Sequence, residues 1–214
     1  KAVAGADLVV LASSPASILP ILRQIKPFLK DGCIVTDVAS VKGALVCQAE
    51  KILGPRIPFI GGHPMAGSEK SGVTHSTTDL FNKSVVFLTR TAATDTRALG
   101  RIKRMWSSVG GTVRVLSPAR HDRVVAEISH LPHVIASALA HTPSAGALPF
   151  AATGFKDTTR IALSDPALWD EIISMNRRAS YRALRRFRLM LERYERAIRT
   201  NDRSVGTLCL RSSA

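Results

Sequence analysis

Residues 7–43 read DLVVLASSPASILPILRQIKPFLKDGCIVTDVASVKG, and two periodicities inside them decide the fold class. Asp7–Leu11 and Cys33–Thr36 are short β-branched runs with the character of buried strands. Between them Ile18, Leu22, Ile25 and Leu29 recur at helical spacing. Strand, helix and strand in succession argue for a parallel pair with a crossover helix. The pattern continues outward. Phe59–Ile60, Val85–Leu88 and Thr112–Leu116 read as further buried strands. Leu45, Ala49 and Ile52 mark one intervening helix, and Leu99, Ile102, Trp106 and Val109 another, with Gly110 as its stop. The expectation is a mostly parallel sheet covered by helices, spanning residues 1–117.

At Ser117-Pro118 the pattern changes. Serine at an N-cap followed by proline at the first helical position starts a helix, and residues 118–214 read as almost all helix. Asp165-Pro166 opens a long one, whose Ile172, Met175, Ala179, Ala183, Phe187, Met190, Tyr194 and Ala197 form one apolar stripe. So few residues offer little to cover that stripe, which points to a subunit interface. The tail from Thr200 reads as polar and frayed.

The composition, 45% hydrophobic and 21% charged over 214 residues, is that of a soluble globular protein. No apolar run approaches membrane-spanning length, and no signal peptide is visible in these residues. Cys33, Cys47 and Cys209 are too few and scattered for a disulfide framework. The first two read as small core residues, so a reducing cytoplasm is the expected setting. The net charge is +14, and nine arginines fall between Arg177 and Arg199. That basicity suits anionic ligands, nucleic acid or a solvated helix face, but 5% aromatic content does not favour a base-stacking surface. No specific nucleic-acid or membrane partner is expected.

In parallel sheets ligands sit beyond the carboxyl ends of the strands. Three segments fall there: Ser13-Ser14-Pro15, Asp37–Gly43, and Gly61-Gly62-His63-Pro64-Met65-Ala66-Gly67-Ser68-Glu69-Lys70-Ser71-Gly72. The last delivers one histidine into a loop with four glycines, which let a backbone approach a ligand closely. Histidine is the side chain whose pKa, roughly 6.5, suits proton transfer near neutrality. Ser40 could hold one ring nitrogen of His63 while the other faces a substrate, or it could cap the following helix. No G-x-S-x-G elbow supports a serine nucleophile.

Ser129-His130-Leu131-Pro132-His133 puts two histidines three apart on a helix that Pro132 should kink, leaving the carbonyl of Ile128 without a helical partner. A zinc site would need a third ligand at suitable spacing, and none is present, so no metal is expected. His130 reads equally as a core residue or a ligand. Gly154–Arg160 places Lys156, Asp157 and Arg160 just before the last long helix. The planar fork of Arg160 suits a carboxylate, although a lone arginine is more commonly a surface ion-pair member. Trp169 reads as core or interface.

Together D-x-x-S-V-K-G (Asp37–Gly43), the Gly61–Gly72 run, S-H-L-P-H (Ser129–His133) and G-F-K-D-T-T-R-I-A-x-S-D-P-x-x-W (Gly154–Trp169) resemble the prephenate/arogenate dehydrogenase family of tyrosine biosynthesis. The likeness runs from about Ala6 to Glu195. It implies a Rossmann-type NAD(P)-binding domain joined to an all-helical domain that forms a homodimer. The implied reaction is oxidative decarboxylation of prephenate or arogenate with hydride passing to NAD or NADP. By resemblance His63 bonds the ring hydroxyl, Ser40 orients His63 beside the nicotinamide, and Arg160 grips the ring carboxylate. His133, with Ser129, meets the substrate, while Glu69, Lys156 and Asp157 form gating ion pairs. Ser13, Ser14, Pro15, Asp37, Ser40 and Lys42 fall on the cofactor side.

The chain contains no G-x-G-x-x-G turn. By resemblance Asp7–Leu11 is then a fourth strand, and the glycine-rich turn is expected upstream. Tight NAD binding is not expected of these 214 residues alone. Two other readings compete. A β-hydroxyacid dehydrogenase would carry a catalytic lysine on the helical domain, where this chain offers a histidine in the glycine loop instead. A basic nucleic-acid-binding module would leave the Gly61–Gly72 and Gly154–Arg160 motifs without purpose.

Overall fold

The computed structural model describes residues 2–67 and 76–201. Glu69, Cys209 and the tail beyond Asn201 lie outside the described residues. Six strands are present among them: β1 (Leu8–Leu11), β2 (Ile34–Asp37), β3 (Phe59–Ile60), β4 (Gly62–Pro64), β5 (Val85–Thr89) and β6 (Thr112–Leu116). β1, β2 and β3 pair in parallel; β4 pairs antiparallel with β5, and β5 in parallel with β6. Gly61 alone separates β3 from β4. A Cβ there would come within 2.5 Å of the Thr89 hydroxyl and 2.7 Å of Val46, so only glycine lets the chain turn from one set of strands to the other.

Period-2 alternation sorts the core into two layers. Val35 and Phe59 face α1 (Pro15–Ile25) and α2 (Gly43–Leu53), packing with Ile18, Leu22, Leu45, Val46 and Ala49. Ile34 and Ile60 face α3 (Thr96–Ser108), packing with Val86, Leu88, Ile102 and Trp106. Gly110, at φ 86°, ends α3 in the left-handed conformation that favours glycine. β6, expected to be buried, lies at the sheet edge and is largely exposed. Cys47, expected in the core, is also exposed.

Ser117 caps α4 (Pro118–Val125), accepting from the Arg120 N–H, with Pro118 at the first position. A π-helical turn over Ala126–His130 joins α4 to α5 (Leu131–Ala140), the N–H of Leu131 reaching back to the carbonyl of Ala126. The widened turn stands immediately before Pro132, whose ring nitrogen cannot donate. α6 (Thr153–Thr159) follows. The single long helix expected from Pro166 is instead two, α7 (Pro166–Met175) and α8 (Arg177–Arg199), broken at Asn176. The break has a partner to serve. Asn176 turns its amide inward to donate to the carbonyl of Asp122 at 2.8 Å and to meet Nδ1 of His130 at 3.2 Å.

Candidate active site

Helix α2 begins without a side-chain cap of its own, which leaves its first N–H groups to find acceptors elsewhere. Asp122, 80 positions beyond Lys42, supplies them. Its Oδ1 accepts from the Lys42 N–H and its Oδ2 from the Gly43 N–H, both at 2.8 Å. Oδ1 also meets Nδ1 of His121 at 2.8 Å, and Nε2 of His121 meets Nδ1 of His63 at 2.9 Å. A chain of contacts therefore runs from the start of α2, through α4, to the histidine on β4. Phe87, opposite His63 in the β4–β5 register, lies edge-on to His121 with ring centres 5.5 Å apart.

Lys42 and Asp37 are both fully buried. The ammonium of Lys42 bonds the Asp37 carboxylate at 2.5 Å and the carbonyls of Ala39 and Val41. Asp37 also accepts from the N–H groups of Ala39 and Gly62. These polar atoms fold the β2–α2 turn and tie it to β4. Burial lowers the pKa of Lys42, against the opposing pull of Asp37.

Burial is also the first reason that the His63 pKa sits well below 6.5, followed by the nearby Lys42 ammonium and then by His121 and His130. A neutral imidazole results, able to accept a proton. Burial likewise lowers His121, against the hydrogen bond it donates to Asp122. Burial would raise the Asp122 carboxyl, but bonds from His121, Lys42 and Gly43 outweigh it and leave the pKa lowered.

His63 opens on a cavity of about 490 Å³ lined by Ser40, Ser129, Arg160, Trp169 and residues 65–67, among others. Of the residues singled out in the sequence, His63, Ser40, Ser129 and Arg160 thus meet in one place. His133 stacks on Trp169, ring centres 3.6 Å apart and planes within 6°, and His130 meets the same indole edge-on. Trp169, expected in the core or an interface, is in fact a cavity wall. Lys156 and Asp157 are exposed on α6 and do not line this cavity. The Nδ1 partner of His63 is His121, while Ser40 borders the same cavity. Sequence reasoning passes over His121 because His-Asp at a helix start looks like a surface pair, and that adjacent dipeptide is the only signal available. Ser13, Ser14 and Pro15 do not line this cavity: Pro15 starts α1 beyond the end of β1, Ser14 bonds Ser17, and the buried hydroxyl of Ser13 has no partner.

An α/β half is joined to an all-helical half, with the buried His63 at their junction. A family model for the nucleotide-binding domain of prephenate dehydrogenase matches residues 1–115, and one for its dimerization domain matches residues 117–209. The chain belongs to the prephenate dehydrogenase family. It is 37% identical over 179 residues to prephenate dehydrogenase of Bacillus subtilis (strain 168), matching 80% of this chain and 48% of that protein. Among solved structures it resembles prephenate dehydrogenase from A. aeolicus in complex with hydroxyphenyl propionate and NAD+, with a TM-score of 0.88 and 38% identity over 96% of this chain and 73% of that one. Synechocystis arogenate dehydrogenase matches with a TM-score of 0.82 and 31% identity over 97% and 77%. The chain thus spans about half the length of the Bacillus relative.

Proposed function

We propose that the intact protein is a prephenate dehydrogenase, converting prephenate to 4-hydroxyphenylpyruvate and carbon dioxide with reduction of NAD or NADP. The observation that carries this reading is the neutral, buried His63 facing a cavity that also holds an arginine, Arg160. Prephenate presents a ring hydroxyl and a ring carboxylate, one group for each. The cavity, about 490 Å³, is within the usual range for a small-molecule site.

The cofactor side fits the residues present: parallel strands end at Leu11 and Asp37, the Ser13 hydroxyl is buried without a partner, and Ser40 borders the cavity. Ser13, Ser14, Pro15 and Ser40 would hold the nicotinamide end. When bound, that group supplies an acceptor for the hydride leaving the carbinol carbon. His63 holds the hydroxyl proton at its free ring nitrogen as the hydride departs. Arg160 fixes the ring carboxylate. Scission of the ring–carboxylate bond releases carbon dioxide and returns the electron pair to the ring, which becomes aromatic. His63 then gives its proton back to the phenolic oxygen. Trp169, held by the His133 ring stacked on it, walls the site. The helical half pairs two copies of the chain, a reading supported by the dimerization-domain match.

The test is turnover of prephenate by the intact protein, with carbon dioxide and reduced cofactor formed in equal amounts, compared with Arg160→Ala. Loss of a charge-assisted carboxylate contact, on the order of 2–5 kcal/mol, should raise KM for prephenate at least about tenfold and leave cofactor affinity unchanged. Absence of turnover in the unsubstituted protein, or an unchanged KM in the variant, contradicts the assignment.

A further inference from the structure

The contacts around His63 fix more than its position: they determine which of its ring nitrogens bears hydrogen. Asp122 stands at the head of the chain. Its two oxygens already accept the backbone N–H groups of Lys42 and Gly43 at 2.8 Å, so this carboxylate is an acceptor on both sides. The atom 2.8 Å from its Oδ1 is Nδ1 of His121. An acceptor-only carboxylate requires a donor there, so the hydrogen of His121 is on Nδ1. The ring is completely buried, and a neutral imidazole has one N–H, so Nε2 of His121 is a bare acceptor. The atom 2.9 Å from that lone pair is Nδ1 of His63. Nδ1 of His63 must therefore be the donor.

We propose that His121 and Asp122 form a buried lock that holds His63 in its Nδ1–H tautomer, leaving Nε2 as the bare acceptor for a substrate proton. Neither residue borders the cavity; both act through His63 and are positioning residues. Asp122 performs two tasks at once. It caps α2 in the α/β half and, from α4 in the helical half, orients the chain of imidazoles. The base is thus set only when the two halves are docked. The opposite tautomer would put two N–H groups face to face, or two lone pairs, at one of the buried contacts, a loss comparable to leaving a buried polar group unpaired. A kinetic test of the lock rests on the prephenate assignment; a spectroscopic test does not.

The 214-residue chain, labelled with ¹⁵N-histidine, gives long-range ¹H–¹⁵N spectra that report which nitrogen of each ring carries hydrogen. His63 is expected as Nδ1–H in the unsubstituted chain. In His121→Phe, where Nδ1 loses its acceptor, the hydrogen is expected to move to Nε2. In His121→Gln, whose amide oxygen can again accept, Nδ1–H is expected to return. In the intact protein kcat for prephenate should fall on the order of 10²-fold in His121→Phe, with KM unchanged, and recover most of that loss in His121→Gln. Finding His63 as Nε2–H in the unsubstituted chain overturns the lock, as does an unaltered Nδ1–H signal in folded His121→Phe. If His121→Phe does not fold, a His121→Gln chain with His63 as Nε2–H overturns it equally. An intact protein that ignores prephenate while His63 follows this tautomer pattern supports the lock and removes the assigned reaction instead.

Discussion

His130 shows how a single buried side chain ties site chemistry to stability. It is fully inaccessible, bonded through Nδ1 to Ser180 at 3.4 Å and Asn176 at 3.2 Å, and its pKa is lowered from 6.5 to about 4. Burial is the main cause; Asp122 pulls the other way and His121 and His133 add to the lowering. Because the folded value lies below the unfolded one, above pH 6.5 neither state binds the proton and stability is at its full value. As pH falls from 6.5 towards 4, the unfolded chain takes up a proton that the folded chain refuses, so stability declines, and below 4 it levels off. The stability lost by the unsubstituted chain across that window should exceed that lost by His130→Gln by on the order of 3 kcal/mol, measured by urea unfolding at several pH values. Equal losses in the two proteins would contradict a neutral buried His130. At this scale the sequence is partly legible. His63 and Arg160 stand out because their motifs combine glycine freedom or cationic clustering with a chemically apt side chain. His121 and Trp169 do not, because their roles depend on partners distant in sequence: His63 is 58 positions from His121.

Among the elements, those with strong internal periodicity are legible in the sequence, and those shaped by a single tertiary contact are not. α1, α2 and α3 have apolar faces that any helix of that sequence would bury, and β1 and β2 carry β-branched runs. The break between α7 and α8 is hidden, since the apolar stripe runs through it; it exists because the Asn176 amide reaches Asp122 and His130. The π turn before Pro132 widens a helix that the sequence marks only as kinked. Along α8 the stripe is only partly covered by the chain itself. Ala183 and Ala197 of the stripe are buried, whereas Leu184 and Leu191 beside it remain 40% and 49% exposed. With Val134, Ile135, Ala138 and Leu139 of α5 they line an apolar groove of about 470 Å³. A second copy of the chain is the proposed occupant. Leu184→Asp, which puts a charge into that contact, should weaken the dimer by about tenfold or more, equivalent to roughly 1.4 kcal/mol or greater, in sedimentation of the two proteins over a concentration series. A monomer for the unsubstituted chain, or an unaltered dimer for the variant, would contradict this use of α8.

Taken whole, the molecule is two halves whose junction is chemical as well as apolar. The Asp122 carboxylate, whose backbone carbonyl is held by the Asn176 amide within the helical half, caps α2, and Glu171 of α7 accepts from the N–H of Ala16 at the start of α1. The sheet-plus-helices order of the chain is readable from periodicity alone, but the way the halves meet is not, because each of these contacts joins residues more than 50 positions apart. No helix among the described residues is long and apolar enough to cross a membrane. His63, held at this junction, is proposed to manage the hydroxyl proton during hydride departure. The most direct measurement is steady-state turnover of prephenate by intact His63→Asn beside the unsubstituted protein at neutral pH. A fall in kcat of about 10²-fold or more, with KM for prephenate little altered, is the predicted result; turnover near the unsubstituted rate would contradict it.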